Sequence, residues 1–237
     1  MSETQGLRKL RLGIALLIFE QIIESVALLL LFEAILSVLP SSEVLIHGSL
    51  YPPVNIQKLL NTTIKSSNFD TFFSLSLLSA LLDIIGIIII ITAIIEVIRG
   101  FIELKNYVKK SYLGIYGIII QLISGLAVLF LIKGSSFEFL HLEDLIIVII
   151  ESIGYILIGA TLYYIGGHYG QDLLKIGGIL IMIPFGLIDY SLLMVVSPIP
   201  LSIVPYSLIL PDLIISISLI FCFLGLNSVY KNIENEE

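Results

Sequence analysis

The sequence predicts an all-α fold, a polytopic transmembrane helical bundle of about six spans. Apolar residues make up 57% of the chain and the mean hydropathy is +1.08, whereas soluble domains contain roughly 45–50% apolar residues. Charged residues make up only 13% and lie between long apolar runs. Six runs are long enough to cross a hydrocarbon core of about 30 Å, which takes roughly 20 helical residues. We therefore predict one integral membrane domain over residues 1–237, with spans at about 12–39, 71–97, 112–132, 144–166, 174–196 and 209–229.

The first apolar run is predicted to be a retained span. Arg8, Lys9 and Arg11 precede it, much as basic residues precede the apolar core of a signal peptide. The run is too long for a signal peptide, however, and it lacks a small-residue cleavage site. It also contains two acids, Glu20 and Glu24.

The later spans are predicted from length and lack of charge. Residues 84–95 in the second run are apolar except for Gly86 and Thr92, whereas helices of a soluble bundle alternate apolar and charged faces. We expect a kink near Pro184 in the fifth span, and a sixth span that starts somewhere in residues 207–212. Small and polar residues share one helical face in the second and third runs, which favours close helix packing: Ser76, Ser79, Ala80, Asp83 and Gly86, then Gly114, Gly117, Gln121, Ser124 and Gly125.

The distribution of Lys and Arg predicts that both chain ends lie in the cytoplasm. With the N-terminus inside, nine basic residues fall on the inner side and three on the outer side: Arg8, Lys9, Arg11, Arg99, Lys105, Lys109, Lys110, Lys175 and Lys231 against Lys58, Lys65 and Lys133. Residues 40–70 then form a large outer loop, which contains a candidate glycosylation site at Asn61. The expected location is the cell membrane, as a multi-pass protein.

Five acids inside the apolar runs are the candidate functional residues: Glu20, Glu24, Asp83, Glu151 and Asp189. Because an isolated carboxylate in lipid is expensive, each must be protonated, hydrogen-bonded, in contact with water or neutralised by a cation. The acids are therefore a candidate proton or cation path. The alternative is that they are neutral groups that hydrogen-bond helices together. We expect all but Glu20 to lie in one layer of the membrane.

Other chemistry finds little support in the sequence. A net charge of −7 argues against nucleic-acid binding. The single cysteine, Cys222, excludes an internal disulfide and a multi-cysteine zinc site. We predict no catalytic residue, no metal and no cofactor, and hence no enzyme. The remote alternative is an intramembrane aspartyl protease, because residues 186–189 approach a G-x-G-D signature with Asp83 as partner, although Ile188 replaces the second glycine.

Two stretches carry a family resemblance. They are Gly6-Leu7-Arg8-Lys9-Leu10-Arg11, and residues 153–159 continuing through 173–180 to Ile183-Pro184. They resemble an archaeal multi-span membrane family of unknown function found in thermoacidophiles, the family of domain of unknown function 973. The resemblance implies an archaeal plasma membrane, and it brings no activity and no functional residues. More glycine and fewer acids would be expected after Pro184, so Asp189 is expected to be particular to this protein.

Two hypotheses about function follow. The favoured one is a membrane scaffold or accessory subunit, whose partners besides the lipid bilayer are other membrane helices or a second copy. The alternative is a proton or small-cation transporter or channel that uses the buried acids. A path needs the acids to face one cavity, whereas a scaffold tolerates acids that are scattered and face partners.

Overall fold

The computed structural model describes residues 3–38, 69–132, 142–183 and 204–234. These residues form six α-helices and one 3-10 turn, Lys109–Ser111, with no β-strand among them. The helices are α1 (Glu3–Val38), α2 (Phe69–Leu104), α3 (Tyr112–Ile132), α4 (Leu142–His168), α5 (Asp172–Ile181) and α6 (Val204–Glu234). The predicted all-α class is confirmed.

Within the described residues, five segments are helical, long and apolar enough to cross a membrane: Glu3–Ala34, Phe69–Leu104, Lys109–Ala127 (which includes the 3-10 turn), Ile146–His168 and Leu213–Glu234. The predicted multi-span membrane class is thus confirmed. Helix α5 has ten residues and ends at Ile181, which is consistent with the bias against helical conformation just before a proline. The rest of the predicted fifth span, including Pro184 and its kink, lies outside the described residues, so the count of six spans stays a prediction.

Helices α1 and α2 extend beyond the predicted spans at one end. Helix α1 begins at Glu3 rather than near residue 12, and α2 continues to Leu104 rather than ending near residue 97. Each has 36 residues and is therefore about 54 Å long, well over a hydrocarbon thickness of about 30 Å. The extra turns are stabilised because Leu7, Leu10 and Phe101 are buried there.

The helices form a row in the order α2, α1, α6, α5, α4, α3, with neighbours antiparallel. Close contacts fix each register: Gly13 with Val97, Arg11 with Asn227, Gly177 with Cys222, Gly159 with Gly178, and Gly117 with Gly154. The two ends of the row meet where the Phe101 ring lies against Gly114. The tight turn from α4 to α5 uses Gly170, which has a φ of 67° and so adopts a left-handed conformation that glycine tolerates without strain.

The basic residues of the predicted inner side gather at one end of this bundle, which we call the basic end. Lys9 pairs with the buried carboxylate of Glu103, and Lys175 pairs with Asp172 at 2.8 Å. The ammonium of Lys110 lies 3.7 Å from the centroid of the Tyr164 ring. The chain thus brings these cations together in space, while the side of the membrane on which they lie stays a prediction.

Among the described residues, the hydrophobic core lies mainly next to the basic end. Its fully buried side chains include Leu7, Leu10, Phe101, Leu104, Leu162, Ile165, Leu174 and Leu226. Farther from that end, α1 and α2 continue as an antiparallel hairpin with exposed apolar side chains, such as Leu77, Ile84 and Ile88. Such side chains suit a lipid environment.

Residues at seven-residue intervals, all of them small except Glu20, form the seam between α1 and α2. The buried positions are Gly6, Gly13, Glu20, Ala27 and Ala34 on α1, and Ser79, Gly86, Ala93 and Gly100 on α2. The Ser79 hydroxyl donates to the Ala27 carbonyl at 2.9 Å across the seam. Because a seven-residue repeat keeps one stripe facing its partner only if the helices coil, we infer a left-handed supercoil for this hairpin.

Candidate functional site

Glu20 and Glu24 lie one turn apart on α1, and Gln21 connects them. The Gln21 amide nitrogen Nε2 lies 3.2 Å from Oε2 of Glu20 and 3.3 Å from Oε2 of Glu24, and donates to both. Glu20 is buried in the seam, where it is the one residue of the α1 repeat larger than alanine. Glu24 is exposed on the surface of the hairpin.

Asp83 on α2 lies across from Glu24. The antiparallel register that joins Ser79 to Ala27 also brings Asp83 close to the Glu24 level, and the two carboxylates interact electrostatically. Asp83 is exposed, like Glu24. We call the surface around these two residues the carboxylate face.

This arrangement differs from the helical face expected for the second run. Ser79 and Gly86 are buried against α1, but Ala80 and Asp83 point away from it. The reason is the seven-residue seam: it selects positions 79, 86, 93 and 100, and leaves Asp83 beyond its edge. In the third run, Gly114, Gly117 and Ser124 are buried as expected, whereas Gly125 has no neighbour within 4 Å of an added Cβ.

Glu151 lies on the other hairpin, formed by α3 and α4. It is half-buried, and its backbone carbonyl accepts a hydrogen bond of 2.8 Å from the side-chain amide of Gln121. Gln121 packs against Gly154, where its amide would lie 2.9 Å from an added Cβ. The polar groups of this hairpin therefore tie α3 to α4 next to Glu151.

The predicted acids thus fall into two groups among the residues that the structure describes. Glu20, Glu24 and Asp83 share the α1–α2 hairpin, and Glu151 belongs to the α3–α4 hairpin. Asp189 and Asn61 lie outside the described residues, so the common layer and the glycosylation site stay predictions. Gln21 was not among the residues predicted from the sequence, although its position between two acids on one helix was a usable signal.

A family model described as "Protein of unknown function (DUF973)" matches residues 3–237. The chain belongs to this family. The family resemblance carried by the N-terminal and central stretches is confirmed over nearly the whole chain, while the archaeal source stays a prediction. No curated protein and no solved structure matches the chain.

Membership of the DUF973 family supports a multi-span membrane protein and assigns no activity. The informative feature of the site is the exposure of Glu24 and Asp83, two neighbouring carboxylates inside candidate membrane spans.

Proposed function

We propose that the protein is a scaffold or accessory subunit of the cell membrane, and that its carboxylate face binds a helix of a partner membrane protein. The observation that supports this proposal is the exposure of Glu24 and Asp83 within helices of membrane-spanning length. An acidic residue at the centre of a membrane helix is unfavourable by about 2.5–3.5 kcal/mol on insertion scales. A partner helix that supplies a hydrogen-bond donor or a cation would lower this cost.

The surroundings of Asp83 also suit a helix partner. Ala80 and Ile87 lie one turn away on either side of it, Ile84 is the next residue along the helix, and all three are exposed. A small residue beside apolar ones lets a second backbone approach closely, which is how helices associate within lipid. The partner is therefore expected to cross this surface near Ala80.

Photo-crosslinking in native membranes tests the proposal. A benzophenone amino acid at Ala80 should give a protein adduct of defined mass. The same amino acid at Ile123, a 57% exposed residue of α3, should give no such adduct. The Ala80 adduct should be lost when Glu24→Gln and Asp83→Asn are combined. The proposal would be contradicted if the yield of the Ala80 adduct were unchanged in the double variant, or if Ala80 and Ile123 gave equal yields.

The second candidate is proton or small-cation transport. It is favoured by the continuity of polar groups from Glu20 in the seam, through Gln21 and Glu24, to Asp83 on the adjacent helix. Ionisable groups in sequence within a membrane are the requirement of a proton relay.

Flux measurements in liposomes distinguish the two candidates. A transport path predicts proton or cation flux that falls in the Glu24→Gln, Asp83→Asn double variant. Glu151→Gln is measured as a separate variant because Glu151 belongs to the other hairpin. A lower flux in this variant would indicate that the path extends to that hairpin. Flux no higher than in empty liposomes under an applied gradient would exclude a simple channel and favour the scaffold.

We propose no enzymatic activity. An intramembrane aspartyl protease would need Asp189 beside Asp83, and the exposed position of Asp83 on the hairpin gives no support for an enclosed catalytic pair. Cleavage of membrane-helix peptides that depends on both Asp83 and Asp189 would overturn this assignment.

A further inference from the structure

A groove opens between α1 and α6 at the basic end of the bundle. It has a volume of about 520 Å³ and is lined by Arg8, Arg11, Leu12, Ala15, Phe223 and Asn227. It lies on a different part of the molecule from the carboxylate face, and the proposed partner function does not use it.

The lining changes from polar to apolar along the helix axes. The polar end of the groove consists of Arg8 and Arg11, near the N-terminal end of α1, and Asn227, near the C-terminal end of α6. Ala15 and Phe223 lie one turn farther into the bundle. At 1.5 Å per residue, Ala15 is about 6 Å deeper than Arg11. Because the first apolar run starts near residue 12, the boundary between headgroups and hydrocarbon is expected to cross the groove.

The guanidinium of Arg11 is held in place from two sides. Its Nη1 donates to Oδ1 of Asn227 at 2.9 Å, and its central carbon lies 4.3 Å from the centroid of the Tyr230 ring. A guanidinium has five N–H donors in a planar fork, so this contact leaves further donors for a ligand. Arg8 lies one turn away on the same side of α1 and is exposed.

We propose that this groove binds an anionic phospholipid. The phosphate would lie between Arg8 and Arg11, because planar guanidinium groups match phosphate oxygens in charge and geometry. One hydrocarbon chain would lie along Leu12, Ala15 and Phe223. A phosphate beside an acyl chain reproduces the polar-to-apolar order of the lining, and basic pockets between membrane helices bind such headgroups in other proteins.

The source of the phosphate is tested with the purified full chain in detergent, by native mass spectrometry and thermal unfolding. Phosphatidylglycerol and phosphatidylcholine with identical chains are titrated in parallel, beside inorganic phosphate. Phosphatidylglycerol should be retained at least tenfold better than phosphatidylcholine and should raise the unfolding temperature, because two basic residues each contribute roughly fivefold. Equal retention of the two lipids would overturn the proposal. Stabilisation by inorganic phosphate as large as that by phosphatidylglycerol would assign the groove to a soluble anion instead.

Variants test the location of the site. Arg8→Gln removes a charge from an exposed side chain and should weaken phosphatidylglycerol binding roughly fivefold. Ala15→Phe keeps both charges but fills the apolar part of the groove, and should therefore weaken phosphatidylglycerol binding. Lys105→Gln is the matched control, because Lys105 is an exposed cation of the same end that does not line the groove. A loss in Lys105→Gln as large as in Arg8→Gln, or unchanged binding in Ala15→Phe, would show general attraction to a basic surface and overturn the proposal.

Discussion

Tyr169 joins the turn after α4 to the start of α1. Its hydroxyl donates to Oε1 of Glu3 at 2.5 Å. Burial of the ring, followed by this hydrogen bond and the charge of Glu3, raises the pKa of Tyr169 above its ordinary value of 10.0. The folded protein therefore keeps the phenol proton at a pH where the unfolded chain releases it. This contribution to stability is present below pH 10 and is lost progressively as the pH rises above 10.

We therefore predict that alkaline pH destabilises the protein partly through Tyr169. Thermal unfolding in detergent between pH 8 and pH 11 should show a falling transition temperature above pH 10. Tyr169→Phe should make that fall shallower while costing about 1 kcal/mol at pH 8, where one hydrogen bond is lost. Tyr116→Phe is the control, because Tyr116 is 56% exposed. Equal slopes in the native protein and in Tyr169→Phe would contradict the assignment.

Individual acids were predictable from the sequence, but their surroundings were not. Glu24 and Asp83 stand out because they interrupt apolar runs. Whether each faces a neighbour or lipid depends on the register between α1 and α2, which local spacing does not determine. The pairing of Lys9 with Glu103, 94 residues apart, depends on the same register. Sequence patterns therefore identified the polar residues, but they did not show which of them are buried against a neighbouring helix.

The seam between α1 and α2 determines how closely the two helices approach. A Cβ added at Gly13 would lie 3.0 Å from the Ala93 carbonyl oxygen and 2.9 Å from the Val97 amide nitrogen. We predict that Ala93→Leu destabilises the protein by about 1–3 kcal/mol, since overpacking displaces a closely packed backbone. Thr92→Leu, at the exposed neighbouring position, should be nearly neutral. Unfolding temperatures in one detergent measure both, and similar losses would argue against the seam.

Glu20 is the one residue of the α1 repeat that is larger than alanine, so its replacement gives a second test of the seam. Ala27 and Ala34 occupy the next two positions of its repeat, so alanine fits the local packing. We predict that Glu20→Ala leaves the protein as stable as the native form or more stable, because alanine restores the small-residue contact while the Gln21 amide keeps Glu24 as its acceptor. A loss above about 2 kcal/mol would instead assign the carboxylate a structural hydrogen-bonding role.

The apolar runs in the sequence predicted where helices occur. They did not predict where α1 begins or where α2 ends, both at the basic end. The predicted starts and stops followed hydropathy, which falls where Lys and Arg appear. The helices nevertheless continue, because Leu7, Leu10 and Leu104 remain on the buried side of turns whose other side is charged. A seven-residue repeat of small residues was the available signal for this continuation, and it is visible on both helices.

Among the residues that the structure describes, the buried core is concentrated toward the basic end. The core and the ion pairs lie near the basic end, where all six helices are represented, and the α1–α2 hairpin extends away from it with its apolar side chains exposed. A hairpin whose described apolar side chains and carboxylates are exposed can contact lipid or a partner helix, which fits the proposed accessory role. An anionic lipid bound in the groove would further hold the basic end in its membrane leaflet.

The membrane orientation of the bundle can be measured by labelling cysteines from each side. Single cysteines at Gln5, Asn106 and Lys231 should react with an impermeant maleimide from one side, and a cysteine at Asp70 from the other, because α2 and α6 both run antiparallel to α1. All four positions are exposed, and the native Cys222 is buried. Because basic loops remain on the cytoplasmic side, the first three should react in inside-out vesicles and Asp70→Cys in right-side-out vesicles. Solubilised protein should react at all four, and labelling of Asn106→Cys from the same side as Asp70→Cys would contradict the bundle itself.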